Sequence, residues 1–393
     1  MSDGAEKKPA KKGVNTRLAH LGYEPRDYHG FVNPPVVHAS TVLFPDYETM
    51  RDRAQPYTYG THGTPTTDAL ARALSELEGA AGTILVPSGL AAVSVPMLAF
   101  ASAGDHVLVV DSVYSPTRKF CDAVLARMGV EVEYFHPGIG EDFRHLMRAN
   151  TSVVMLEAPA SNSFEMIDVP LTAGLAHEAR PDCTVMMDNT WATPLLFRPL
   201  DHGVDVSIHA LTKYPSGASD LVLGGVSANE RTWPQLKATQ SALGTCAAPD
   251  DCYLTLRGLR TMNLRLRHHE MSTMVLCNWL QGHAQVKRVL YPALPDDPGH
   301  ALWSRDFAGA SGLFSFVLDG GTEEAGRFLN GLDIFGLGYS WAGYESLAVI
   351  PNFADRLVAH GPTDGTAIRL QVGLEDPSDL IEDLEKGFAA AAG

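Results

Sequence analysis

The chain has 393 residues, of which 45% are hydrophobic and 19% charged, and it carries a formal net charge of −16. An acidic chain repels nucleic acid and anionic lipid, which argues against both as general partners. No apolar run approaches the roughly 18 residues that span a bilayer, and the start has no apolar signal-peptide core, so the expected compartment is the cytoplasm. The basic run Lys7, Lys8, Lys11 and Lys12 sits among Gly and Pro without apolar periodicity and reads as a solvated tail. The five cysteines, Cys121, Cys183, Cys246, Cys252 and Cys277, are odd in number and scattered, which suits reduced thiols. The charged fraction lies below the roughly 25% of an average chain, through burial in an oligomer or through chance variation.

From about Thr67 the pattern alternates between helical and strand-like segments. Residues 67–78 carry apolar positions at helical spacing and stop at Gly79. Ile84-Leu85-Val86 reads as a short buried strand, followed through Pro87-Ser88-Gly89 by an apolar helix over 90–101. Strand-like 106–112 leads to a helix over 116–128 and a strand over 130–135. Further apolar runs at 152–158, 184–189 and 204–211 read as strands. Strands separated by helices predict an α/β fold with a mainly parallel sheet covered on both faces. A long helical stretch over about 250–282 interrupts this rhythm. Strand-like 312–319, 334–338 and 367–374, with helices near 322–331 and 376–390, predict a smaller C-terminal α+β domain. The expected boundary lies near residue 257, giving a large domain over 67–257 and a second over 258–393.

Three strand ends carry candidate chemistry. Lys213 follows the apolar strand Ser207-Ile208-His209-Ala210-Leu211. A lysine there points into the crevice where open α/β sheets bind ligands, and a desolvated amine can condense with a carbonyl. Asp188 ends Met186-Met187-Asp188, where a carboxylate can keep a pyridine nitrogen protonated. Pro87-Ser88-Gly89-Leu90 turns from strand to helix and offers backbone N–H groups to a phosphate. Taken singly, each is as readily an ordinary strand-end lysine, a capping aspartate and a plain connection. Together, in the order phosphate loop, ring-nitrogen acid and amine, they match the three handles of pyridoxal phosphate.

At this point the chain resembles the γ-subfamily of fold-type I pyridoxal-phosphate enzymes, the Cys/Met-metabolism family, and within it the bacterial cystathionine β-lyases. The segments that carry the resemblance are YGTHGTPTTDAL (59–70), VPSGLAAV (86–93), DSVYSPT (111–117), MDNTWATPLLF (187–197), DVSIHALTKY (205–214), RGLRTMNLRLRHH (257–269), YPALP (291–295), SGLFSFVL (311–318), YSWAGYESL (339–347) and IRLQVGLED (368–376). They run in family order over nearly the whole chain.

The resemblance implies a fold-type I transferase with pyridoxal 5'-phosphate on Lys213, Asp188 at the ring nitrogen and Tyr114 stacked on the ring and aiding catalysis. It implies phosphate contacts from Gly89, Leu90 and Thr212, and from Tyr59 and position 61 of a neighbouring subunit. Residues 1–66 would then form a tail and inter-subunit arm, and the assembly would be a homotetramer with shared active sites. Arg369, with Ser340 and the backbone at Trp341, would hold the substrate α-carboxylate. Bottom-up, an arginine in an otherwise apolar strand wants an anion, whether a substrate or a structural partner.

Departures from the family pattern are informative. Thr61 stands where an arginine normally grips phosphate, and His62 where the lyases carry a second arginine. His62 can meet a distal carboxylate only when protonated. Ala210 replaces a common serine. The implied reaction is carbon–sulfur cleavage of a sulfur amino acid: β-elimination of cystathionine to homocysteine, pyruvate and ammonia. Alternatives within the family are a cysteine S-conjugate β-lyase, a methionine γ-lyase and a cystathionine γ-synthase; Trp341 favours the β-lyase branch. Outside it, Gly138-Ile139-Gly140 opens like a dinucleotide fingerprint, but Phe143 stands where the closing glycine belongs. A non-catalytic protein that kept the fold is a third class, given footing by Thr61. No metal site is expected, since His177-Glu178 lacks the second histidine of a zinc helix and His268 and His269 are adjacent.

Overall fold

A computed structural model describes residues 12–393. Lys7, Lys8 and Lys11 of the basic run lie outside the described residues. Strands β1 (Gly82–Val86), β2 (His106–Val110), β3 (Glu131–Phe135), β4 (Thr151–Glu157), β5 (Thr184–Asp188), β6 (Val206–Ala210) and β7 (Gly224–Ala228) form one sheet in the order β1-β7-β6-β5-β4-β2-β3. The ladders among β2, β3, β4, β5 and β6 are parallel, and only β7 runs antiparallel to its neighbours β1 and β6. The inner strands are apolar on both faces because helices cover both; Val153, Val154, Met155 and Leu156 are all fully buried.

A second sheet takes β8 (Val286–Leu290), β9 (Leu313–Leu318), β10 (Gly336–Leu337), β11 (Leu347–Val349) and β12 (Thr366–Gln371) in the order β10-β11-β12-β9-β8. The helix Pro377–Ala392 packs on the helix Thr322–Asn330 beside it, with Phe328 and Phe388 edge to face at 4.9 Å. One hydrophobic core runs from Val107 and Met186 of the first sheet to Phe314 of the second and Phe388 of the helix Pro377–Ala392. Residue 257 falls inside the helix Pro249–Leu259.

The helix expected over 67–78 begins earlier than its apolar pattern predicts, at Pro65, because Thr64 caps it through the backbone N–H of Thr67 at 3.3 Å. The stretch over 250–282 is two helices, Pro249–Leu259 and Met262–Gln281. At the break, the Arg260 guanidinium donates to the carbonyls of Leu18 and Leu21 at 2.6 and 3.0 Å. The segment 116–128 is α-helical only over Ser115–Phe120, then passes through a π turn and a 3₁₀ turn. Strand β7 has no counterpart in the pattern reading. Its Gly224-Gly225 start has poor strand propensity, but a Cβ at Gly224 would lie 2.2 Å from the Ser88 carbonyl oxygen. The glycine thus lets the helix Gly89–Phe100 settle against the sheet.

No helix among the described residues is long and apolar enough to cross a membrane. All five cysteines are unpaired thiols.

Candidate active site

The carboxyl ends of β4, β5 and β6 open into a cavity of about 710 Å³. Its walls come from both sheets: Gly89, Leu90, Tyr114, Asp188, Thr212 and Lys213 from the first, Ser340, Trp341 and Arg369 from the second. Nine of the residues singled out in the sequence therefore converge on one space.

Lys213 sits in the tight turn after β6, with its backbone N–H donating to the Ala210 carbonyl at 3.1 Å. Its Nζ donates to the Ser340 hydroxyl and lies 5.0 Å from the centre of the Trp341 ring. Burial pulls its pKa down to about 8, the Arg369 charge pulls the same way, and Asp188 opposes them. Such an amine is partly neutral near neutral pH and therefore nucleophilic.

Asp188 is the last residue of β5 and faces Glu157 and Ile208 across the parallel ladders. Its carboxylate accepts from the Thr190 backbone N–H at 3.0 Å and from the Thr190 hydroxyl. That hydroxyl accepts in turn from the Ala210 N–H at 2.9 Å, so Thr190 locks the acid to the strand that leads to the lysine. Burial raises the Asp188 pKa, while Thr190 and Lys213 counteract it. A buried carboxylate with only polar neutral donors and a partly neutral amine nearby favours a cationic partner.

The Ser88 side chain caps the helix Gly89–Phe100 by accepting from the Ala91 N–H at 3.0 Å. The first N–H groups of that helix, at Gly89 and Leu90, have no intrahelical partner and belong to cavity-lining residues. A Cβ at Gly89 would lie 2.6 Å from the Ala210 Cβ, so the loop lies directly on the end of β6. Thr212 lines the same end, although its hydroxyl is already paired with the Leu223 backbone N–H and carbonyl at 3.0 and 3.2 Å.

Arg369 lies mid-strand in β12, with its guanidinium held by the Asn162 side-chain oxygen at 2.9 Å and the Ser340 carbonyl at 3.3 Å. Burial lowers its pKa to about 10, with Tyr114 and Tyr339 opposing the shift. It has no carboxylate partner among the described residues, which leaves its charge available to an anion in the cavity. Asn162 and Ser340 both have positive φ, at 70° and 82°. Asn accepts that conformation readily; Ser does not, and strain of this kind collects at functional sites.

Tyr114 begins the short helix Ser115–Phe120 and its N–H donates to Glu157 at 2.8 Å. Burial and the nearby Asp188 and Glu157 raise its pKa, outweighing Arg369. Tyr59, Thr61 and His62 are exposed and do not line this cavity within their own chain. His62 instead pairs with the Thr58 hydroxyl at 2.9 Å.

Pattern reading passed over Thr190, Asn162 and Glu157. Glu157 ends its strand as Asp188 does, so the same strand-end rule points to it. Its pKa is pushed well above the ordinary value, first by burial and then by Asp188. Asn162 and Thr190 hold other side chains and leave no signal in a single sequence.

Residues 15–389 match the model of a family described as Cys/Met metabolism PLP-dependent enzymes. A protein of Rhizobium johnstonii named "Putative cystathionine beta-lyase" is 62% identical over 97% of each chain. The cystathionine beta-lyase of Escherichia coli is 43% identical over 97% of this chain and 99% of its own. The crystal structure of cystathionine gamma synthase from Xanthomonas oryzae, in complex with aminoacrylate and cysteine, superposes with a TM-score of 0.91 at 32% identity, covering 97% and 99% of the two chains. The chain belongs to the Cys/Met-metabolism family of pyridoxal-phosphate-dependent enzymes.

Proposed function

We propose that the chain holds pyridoxal phosphate on Lys213 and catalyses β-elimination of L-cystathionine, which releases homocysteine and a three-carbon enamine that water hydrolyses to pyruvate and ammonia. The observation that carries this reading is the convergence of the Lys213 amine, the buried Asp188 carboxylate and the Arg369 guanidinium on one cavity at the carboxyl end of the sheet. The names of its relatives support the choice of substrate.

The cavity fits the cofactor. A neutral-capable amine suits its aldehyde and a buried, otherwise uncompensated acid suits its protonated ring nitrogen. The unpaired amides at Gly89 and Leu90, close to Thr212, suit its phosphate. When bound, pyridoxal phosphate supplies an electron sink for the pair left when the substrate Cα loses its proton.

This chain's own groups do the rest. Arg369 binds the α-carboxylate, with the Ser340 hydroxyl beside it, and fixes which Cα bond is presented. Lys213 Nζ, once free, takes the Cα proton and returns one to the sulfur leaving from Cβ. Tyr114, which lines the same cavity, would pack against the ring, and the Trp341 ring stands 5.0 Å from the amine. Tyr59, Thr61 and His62 complete the site of a neighbouring copy from their exposed arm, in a homotetramer of shared sites. The cytoplasm, with its reduced thiols, is the proposed compartment.

The likeness to a cystathionine gamma synthase supports γ-cleavage as the second reading. The experiment is to incubate the yellow purified protein with L-cystathionine and identify the keto acid. Pyruvate supports the proposal; 2-oxobutyrate overturns it in favour of γ-cleavage. Lys213→Ala should remove both colour and turnover.

A further inference from the structure

Two acids stand side by side in the cavity. Glu157 ends β4, Asp188 ends β5, and the parallel ladder pairs them in register. Register partners on neighbouring strands point to the same face, about 4.8 Å apart. Both side chains line the cavity, and neither forms an ion pair among the described residues. Two carboxylates so close together and out of water do not both stay ionised. The ring nitrogen calls on one of them, Asp188, and the chemistry above leaves Glu157 without a part.

Their surroundings divide the roles. Asp188 accepts from the Thr190 N–H and hydroxyl and lies near the Lys213 charge, all of which favour its anion. Burial first, and then the charge of Asp188, pushes the Glu157 pKa well above its ordinary value; the Tyr114 and Ser161 N–H groups and Arg356 oppose the shift without reversing it. Arg356 is itself committed to Glu165 at 3.4 Å and to the Ser161 carbonyl at 2.7 Å. The proton of the pair therefore sits on Glu157.

Glu157 also reaches the segment that carries Tyr114. Its Oε2 accepts from the Tyr114 N–H at 2.8 Å. Both flanks of Tyr114 are anchored on Asp111, whose carboxylate is ion-paired with Arg118 and accepts from the backbone N–H groups of Leu357, Val358 and Ala359 at 2.6 to 3.1 Å. Within that span, Glu157 is the side chain that holds the Tyr114 backbone itself.

We propose that Glu157 is a positioning residue for the cofactor ring: as the neutral member of the pair it leaves Asp188 the sole negative charge for the ring nitrogen, and its carboxyl oxygen aims the tyrosine that stacks on the ring. This rests on the cofactor reading above and deepens it.

The test compares Glu157→Gln, which keeps a neutral acceptor of the same shape, with Glu157→Leu, which removes the acceptor. Infrared difference spectra of the apoproteins, wild type minus Glu157→Gln, should show the carbonyl stretch of a protonated carboxylic acid, shifted in heavy water. Carboxylate bands in its place overturn the proposal. Loaded with pyridoxal phosphate, Glu157→Gln should keep the visible circular dichroism of the bound cofactor. Glu157→Leu should lose most of that signal with its far-ultraviolet spectrum unchanged, and should bind the cofactor about tenfold more weakly in equilibrium dialysis, the effect of one lost contact. In a Tyr114→Ala background Glu157→Leu should make no further difference. A Gln variant as damaged as the Leu variant, or a Leu variant without effect, overturns the role. Wild-type protein that takes up no pyridoxal phosphate overturns the cofactor reading and this proposal together; the other adverse results overturn this proposal alone.

Discussion

The depressed basicity of Lys213 sets the pH at which the apoprotein takes up its cofactor. Capture requires the neutral amine. With a pKa of about 8, roughly one amine in ten is neutral at pH 7, against about one in three thousand at the ordinary lysine value of 10.5. The reactive fraction is thus up to about 300-fold larger, an upper bound because a less basic amine is also a poorer nucleophile. The sign follows: the capture rate should rise with pH and level off just above 8. Folding stability carries the same mark. The unfolded lysine binds its proton more tightly than the folded one, so stability is flat below about pH 8 and rises between 8 and 10.5. Apoprotein mixed with pyridoxal phosphate between pH 6 and 10 and followed by visible absorbance gives the rate. Borohydride trapping and peptide mapping confirm that the label sits on Lys213. A rate that climbs tenfold per pH unit without a bend up to pH 10 is incompatible with a desolvated amine beside Arg369.

Three further outcomes follow from the contacts. Asp111→Asn leaves the buried Arg118 guanidinium uncompensated and should cost about 3–5 kcal/mol in chemical denaturation; a loss under about 1 kcal/mol contradicts its anchoring role. Burial works against ionisation of Asp111, but the three amides and Arg118 hold its pKa below the ordinary carboxylate value. Its contribution is therefore complete above pH 4 and disappears as pH falls through that lowered value. Thr190→Val removes the link between Asp188 and the Ala210 N–H; kcat should fall about tenfold with little change in KM, while an equal rise in KM would contradict a purely positioning role. Gly224→Ala drives a Cβ into the Ser88 carbonyl oxygen and should cost roughly 1–3 kcal/mol while weakening cofactor affinity in equilibrium dialysis.

The residues most legible in the sequence are those at strand ends. Lys213 and Asp188 each terminate an apolar run, and the alternating pattern alone places both at one edge of a parallel sheet. Arg369 stands out because its strand is otherwise apolar. Less legible is whatever depends on a neighbour far along the chain. Strand β7 looks like a glycine turn until the close approach of Ser88 is known. Asn162 reads as a loop residue, yet it orients Arg369 from a segment about two hundred positions away. The Arg260 side chain at the helix break also finds its partners far away, in the carbonyls of Leu18 and Leu21. Tyr59, Thr61 and His62 are matched by motif, but in their own chain they stand away from the cavity.

The antiparallel strand between β1 and β6 also dictates when the site can come into being. The loop that offers its amides to phosphate follows residue 86, but its strand is hydrogen-bonded only to residues 224–228. During synthesis the first half of the cradle emerges from the ribosome long before the partner that fixes it. Until that late strand slots in, the amine at 213 has no phosphate grip beside it, so a nascent chain shorter than about residue 228 should be unable to retain the cofactor.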